Sequence, residues 1–110
     1  METGLTINSK MEKLTGKVKA DMADVMPGPL YVTSGSFAGE VNLQWDAVQD
    51  AHNYIIEISG GKHWQQLDIV SDPQYSISGL RLGRTYLFRI SAIFKSGQGP
   101  WSKAVIKKIK

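Results

Sequence analysis

The side chains that could carry acid–base or metal chemistry in this chain are His52 and His63, with the carboxylates Asp46, Asp50, Asp68 and Asp72. The histidines stand eleven positions apart with no histidine or carboxylate at metal-ligand spacing, and neither accompanies a nucleophile in a hydrolytic arrangement. Both read as solvated turn residues. The aspartates scatter over connecting segments and an edge strand, whereas paired-carboxylate chemistry needs two of them converging in a pocket. Gly97-x-Gly99 joins two extended runs, so it reads as a hairpin and not as a phosphate cradle before a helix. Cysteine is absent, which excludes a disulfide, a thiolate zinc site and a thiol nucleophile, and leaves the cellular compartment undecided. The sequence therefore predicts no catalytic residues, no metal and no cofactor.

Recognition chemistry is better represented. Arg89 and Trp101 fall on neighbouring extended runs and can stack as a cation–π pair, worth ~0.5–1 kcal/mol at an exposed site. Alternatively, an exposed indole at Trp64 or Trp101 can lie against a sugar ring or anchor a protein partner, because it buries a large area with little entropy loss. Ile55, Leu87 and Ile93 alternate with inward residues and so point outward, and as neighbours they would form an apolar contact surface. The expected interaction surface is thus Ile55, Trp64, Leu87, Arg89, Ile93 and Trp101.

These residues must be positioned by one domain, since 110 residues support a single core. Residues 1–29 hold no aromatic residue and end in Met26-Pro27-Gly28-Pro29, which cannot continue a helix. They read as a leader or linker, or as the end of a preceding helical region. Ser9-Lys10-Met11-Glu12 resembles a capping box, and Met11, Leu14, Val18, Met22 and Val25 recur at helical spacing. Gly16 weakens such a helix, so a short amphipathic helix and a mobile leader both stand as expectations.

From Leu30 the apolar period becomes two, with Gly, Asn, Asp and Ser punctuating the chain about every ten residues. Seven strands are expected in a domain spanning residues 30–110: Leu30–Thr33, Glu40–Trp45, Asn53–Ser59, Trp64–Val70, a short one around Tyr75 and Ile77, a central one through Tyr86, Phe88, Ile90 and Ala92, and a last one from Trp101 to about Ile109. Ser96-Gly97-Gln98-Gly99-Pro100 reads as the turn before that last strand. Lysines at 103, 107, 108 and 110 would blunt an exposed edge.

Net charge is +3, yet between Leu30 and Ser102 five basic residues face six acidic ones, a balance of −1. The excess lies at the two ends of the chain and forms no basic-aromatic stripe, so a nucleic-acid partner is not expected. No apolar stretch approaches the ~18 residues of a spanning helix, so membrane insertion is not expected either.

Pro27-x-x-Leu30-x-Val32, Trp45 ending the second strand, Ala51 and Tyr54 opening the third, and Leu80-x-x-Gly83-x-x-Tyr86-x-Phe88-Arg89-Ile90-x-Ala92 together resemble the fibronectin type III domain over roughly residues 27–109. Gly99-Pro100-Trp101-Ser102 is similar to the final hairpin of bacterial members. The resemblance implies an all-β, seven-stranded antiparallel immunoglobulin-like sandwich, with Trp45 between the sheets and the Tyr86 hydroxyl bonded to backbone near Leu80 to Gly83. It also implies a non-catalytic interaction or spacer module of a larger, bacterial protein, contacting a protein partner or a neighbouring domain of its own chain. The alternative is a carbohydrate-associated module of a secreted enzyme. No Arg-Gly-Asp occupies the last hairpin, so an integrin contact is not implied, and Lys103-Ala104-Val105 breaks what would resemble a cytokine-receptor Trp-Ser repeat.

Overall fold

The computed structural model describes residues 26–110. Of the leader expected over residues 1–29, the part that carries the expected helix, with the capping box at Ser9 and the apolar positions from Met11 to Val25, lies outside the described residues, and residues 26–29 lead into the first strand without regular secondary structure.

Eight strands form among the described residues: β1 (Leu30–Ser34), β2 (Val41–Trp45), β3 (Asn53–Ser59), β4 (Trp64–Val70), β5 (Gln74–Ile77), β6 (Thr85–Phe94), β7 (Gly97–Trp101) and β8 (Val105–Lys108). One sheet has the order β1-β2-β5, and the other the order β4-β3-β6-β7 with β8 also on β6; every pairing is antiparallel. Strand alternation then decides what is enclosed. Val41, Leu43 and Trp45 of β2 face Tyr54, Ile56 and Ile58 of β3 and Phe88, Ile90, Ala92 and Phe94 of β6, with Leu30 and Ile109 closing the core. Trp45 meets Tyr54 edge-on, ring centroids 5.3 Å apart at 73°, a geometry that sets the positive edge of one ring on the negative face of the other.

The predicted sandwich is therefore present, with one strand more than expected. The continuous last strand is two strands laid end to end along β6. Lys95 and Ser96 make the hairpin turn, and Gly97 already pairs with Phe94, so the Gly-Gln-Gly-Pro stretch is extended. Pro100 is tolerated because β7 is an edge strand. The ladder breaks at Ser102, whose N–H donates to the Ile90 carbonyl at 2.7 Å while its hydroxyl accepts the Ile90 N–H at 3.0 Å. A side-chain oxygen thus takes the place of a backbone carbonyl, and pairing resumes at Val105.

Tyr86 is half-buried and packs against the core from its rim. Its hydroxyl does accept a backbone bond in the expected stretch, from Arg81 N–H at 3.3 Å. The pairing also sorts the connections into two ends. Residues 35–40, 60–63 and 78–84 lie at one end with the last residues of the chain, and residues 46–52, 71–73 and 95–96 at the other.

Candidate functional site

Arg89 lies at the centre of the outward face of the five-stranded sheet, because its neighbours Phe88 and Ile90 both point into the core. Its register partner on β3 is Glu57. The guanidinium donates from Nε and Nη2 to a single oxygen, Glu57 Oε1, at 2.9 and 2.7 Å. The pair is largely shielded, at 23% and 17% side-chain exposure, so it is less screened than a surface bridge.

Trp64 opens β4 opposite Ser59, and Trp101 ends β7 opposite Ser91. From these opposite sides both indoles reach Arg89, and the guanidinium carbon stands 4.1 Å from each ring centroid. The planar cation is weakly hydrated and stacks on aromatic faces. Glu57 holds its edge while Trp64 and Trp101 contact the rest. Ser91 secures the same strand edge, its hydroxyl donating to the Gly99 carbonyl at 2.7 Å.

The three outward aliphatics are half-buried and do not make one patch. Ile55 faces Ser91 on β6, and Ile93 faces Asn53 on β3, which makes Ile55 and Ile93 diagonal neighbours. Leu87 faces Ser59 and is separated from Ile55 by the Glu57–Arg89 row. Each aliphatic cluster is extended by a residue that the sequence reading passed over. Ile69, 47% exposed, pairs with Ile55, and Ile106, 68% exposed, pairs with Leu87. Glu57 was also missed, although a carboxylate and a guanidinium at central positions of adjacent strands were visible as a possible cross-strand pair.

His52 and His63 flank opposite ends of β3, separated by a seven-residue strand, so they do not converge. Asp46, Asp50 and Asp72 lie on connections at the end away from His63. Among the described residues no group of three or more His, Asp or Glu side chains is placed to hold a metal ion.

Comparison with known proteins agrees with this architecture. The family model for the fibronectin type III domain matches residues 27–108. The chain belongs to the fibronectin type III family. A receptor-type tyrosine-protein phosphatase F of Danio rerio is 32% identical over 100 residues, covering 86% of this chain and 5% of that protein. The sixth fibronectin type III domain of a human fibronectin type III domain containing protein 3 superposes with a TM-score of 0.71 at 25% identity, covering 86% of this chain and 90% of that one. A Fn3-like protein from Clostridium thermocellum gives a TM-score of 0.70 at 23% identity over 76% of this chain and 91% of its own, a likeness of fold. Fibronectin type III domains are generally non-catalytic modules within larger chains.

Proposed function

We propose that this fibronectin type III domain is a non-catalytic interaction or spacer module of a larger protein, and that it meets a protein partner or a neighbouring domain through the outward face of its five-stranded sheet. The observation that carries this reading is the Trp64–Arg89–Trp101 stack, pinned by Glu57 and bordered by exposed Ile69 and Ile106. Tryptophan and arginine are enriched where binding energy concentrates, and a side chain already fixed loses little entropy on association. Residues 30–110 form the module in this reading, and residues 1–29 link it to what precedes. The Gly99-Pro100-Trp101-Ser102 sequence supports a bacterial source.

The carbohydrate alternative draws less support from the same geometry. Trp64 and Trp101 each turn one indole face to Arg89 and are half-buried, which leaves less ring for a sugar to stack on.

Amide chemical shifts of the labelled domain, recorded with and without the adjoining domains of its parent protein, test the proposal. Perturbation centred on Trp64, Glu57, Arg89 and Trp101, abolished by Ile69→Glu or Ile106→Glu without change in melting temperature, is the expected result. Perturbation confined to the three-stranded sheet would defeat it.

A further inference from the structure

The balanced charge of the domain conceals a separation that only the fold reveals. At one end Asp46, Asp50 and Asp72 sit on exposed connections with Lys95 as the one cation of those turns. At the other end, Lys62 occupies the β3–β4 turn, Arg81 and Arg84 the β5–β6 connection, and Lys108 pairs with Thr85 at the base of β6. These elements are tied together. The Leu80 N–H donates to the Gly39 carbonyl at 3.0 Å, Gly83 N–H to the Ile109 carbonyl at 2.8 Å and Ile109 N–H to the Arg84 carbonyl at 2.9 Å. The Arg84 guanidinium reaches across to Gly60. Glu40 is the acidic residue of this end, and its Oε1 accepts the Phe37 N–H at 3.1 Å. Among the described residues none of the four cations forms an ion pair.

Two apolar side chains project from the same end. Phe37 is 77% exposed in the β1–β2 turn and Leu82 is 61% exposed in the turn before β6. The Gly39–Leu80 bond joins their loops. Apolar tips on an end that also carries unpaired cations match the bilayer interface, where acyl chains begin just beneath anionic headgroups. Leu82 has no π face for a nucleobase, which favours lipid over nucleic acid.

We propose that this end of the domain docks on an anionic lipid surface, Phe37 and Leu82 entering the headgroup layer and Lys62, Arg81, Arg84 and Lys108 facing the lipid phosphates and carboxylates. The contact is peripheral and needs no spanning segment. The acidic far end would be repelled by the same surface, so the long-range field also sets the orientation.

Flotation of the full chain with phosphatidylcholine vesicles, with and without phosphatidylserine, tests the idea. Binding should require phosphatidylserine. Lys62→Gln with Arg81→Gln should lower the partition coefficient roughly thirtyfold, since one cation near such a surface contributes about fivefold. Phe37→Ser with Leu82→Ser, which leaves charge untouched, should lower it roughly a hundredfold. All four side chains are exposed, and circular dichroism melts identical to the parent would show the variants folded. No binding to phosphatidylserine vesicles overturns the proposal. Binding unaffected by either variant overturns it too, because the lysines of residues 1–29 would then be responsible. So does loss with the charge variant but not with the apolar one, together with equal competition by a DNA oligonucleotide or polyglutamate, which would mark a general polyanion site.

Discussion

Glu57 grips Arg89 through one oxygen, Oε1, to which both Nε and Nη2 donate at 2.9 and 2.7 Å. That contact uses an edge of the guanidinium and leaves its faces to Trp64 and Trp101. Arg89→Lys should therefore cost about 1–2 kcal/mol, because an ammonium is a point charge that cannot stack on two rings. Glu57→Gln keeps an acceptor oxygen and should cost less, on the order of 1 kcal/mol. Urea midpoints measure both, and a red shift of tryptophan emission in Arg89→Lys would report hydration of the indoles. Parent-like emission and midpoint in that variant would show that the stack contributes nothing.

Trp45 fills the space between the sheets, yet its Nε1–H is buried without an acceptor. Trp45→Ala should destabilise by about 3–5 kcal/mol through lost burial and a residual cavity. Trp45→Phe leaves a smaller void and removes the orphaned donor, whose burial costs ~1–3 kcal/mol, so its loss should stay below about 2 kcal/mol. Similar midpoints for the two variants would mean that the indole nitrogen has a partner in solution.

Two tyrosines accept backbone N–H groups, and they should not count equally. Tyr54 Oη stands 2.9 Å from Val48 N in a partly buried setting, and Tyr86 Oη stands 3.3 Å from Arg81 N in an exposed one. Tyr54→Phe strands a shielded donor and should cost roughly 1–2 kcal/mol, whereas water replaces the hydroxyl in Tyr86→Phe at a cost below ~1 kcal/mol. Chemical denaturation of the pair gives the order, and the reverse order would make the Tyr86 corner the stronger anchor.

The inward residues were legible because a period of two assigns faces without knowledge of partners, and so Trp45, Tyr54, Ile56, Phe88 and Ile90 could be named from spacing. What depends on register was not legible. Trp64 and Trp101 stand on β4 and β7, with β3 and β6 between them, and their shared contact exists only because Arg89 lies centrally and is long enough to meet both. The break at Ser102 was hidden for a similar reason. It arises from a hydroxyl bonded to Ile90, twelve residues away, while the local residues favour strand continuation. Phe37 and Leu82 are unremarked turn residues in sequence, and their loops meet only through Gly39 and Leu80.

Tyr75 on β5 has its phenol pKa raised, first by desolvation and then by the nearby charge of Asp68 and a hydrogen bond to it. The folded state therefore holds this proton more tightly than the unfolded chain, whose phenol titrates near 10.0. The sign follows from linkage: the contribution is complete below pH ~10 and is lost as pH rises through the folded value. Asp68→Asn removes the charge, so it should flatten the alkaline fall in stability relative to the parent and lower the midpoint of the Tyr75 tyrosinate absorbance change. A Tyr75→Phe background in which Asp68→Asn still alters the alkaline slope would assign the effect to another group.

Gly39 is the point where two loops touch. Its φ is +82°, and a Cβ there would stand 2.8 Å from the Leu80 carbonyl oxygen, a backbone atom that cannot swing aside. Gly79 has nearly the same backbone angle, +78°, but nothing within 4 Å of its would-be Cβ. Alanine at 79 should thus show conformational strain alone, about 1–2 kcal/mol. Alanine at 39 adds the clash and weakens the Leu80 N–H bond to the Gly39 carbonyl, for a total of roughly 3 kcal/mol. Urea midpoints of the two variants isolate the steric part, because their strain is shared. Equal losses would mean that the loops part without penalty, and then the bond between them could not fix the loops that carry Phe37 and Leu82.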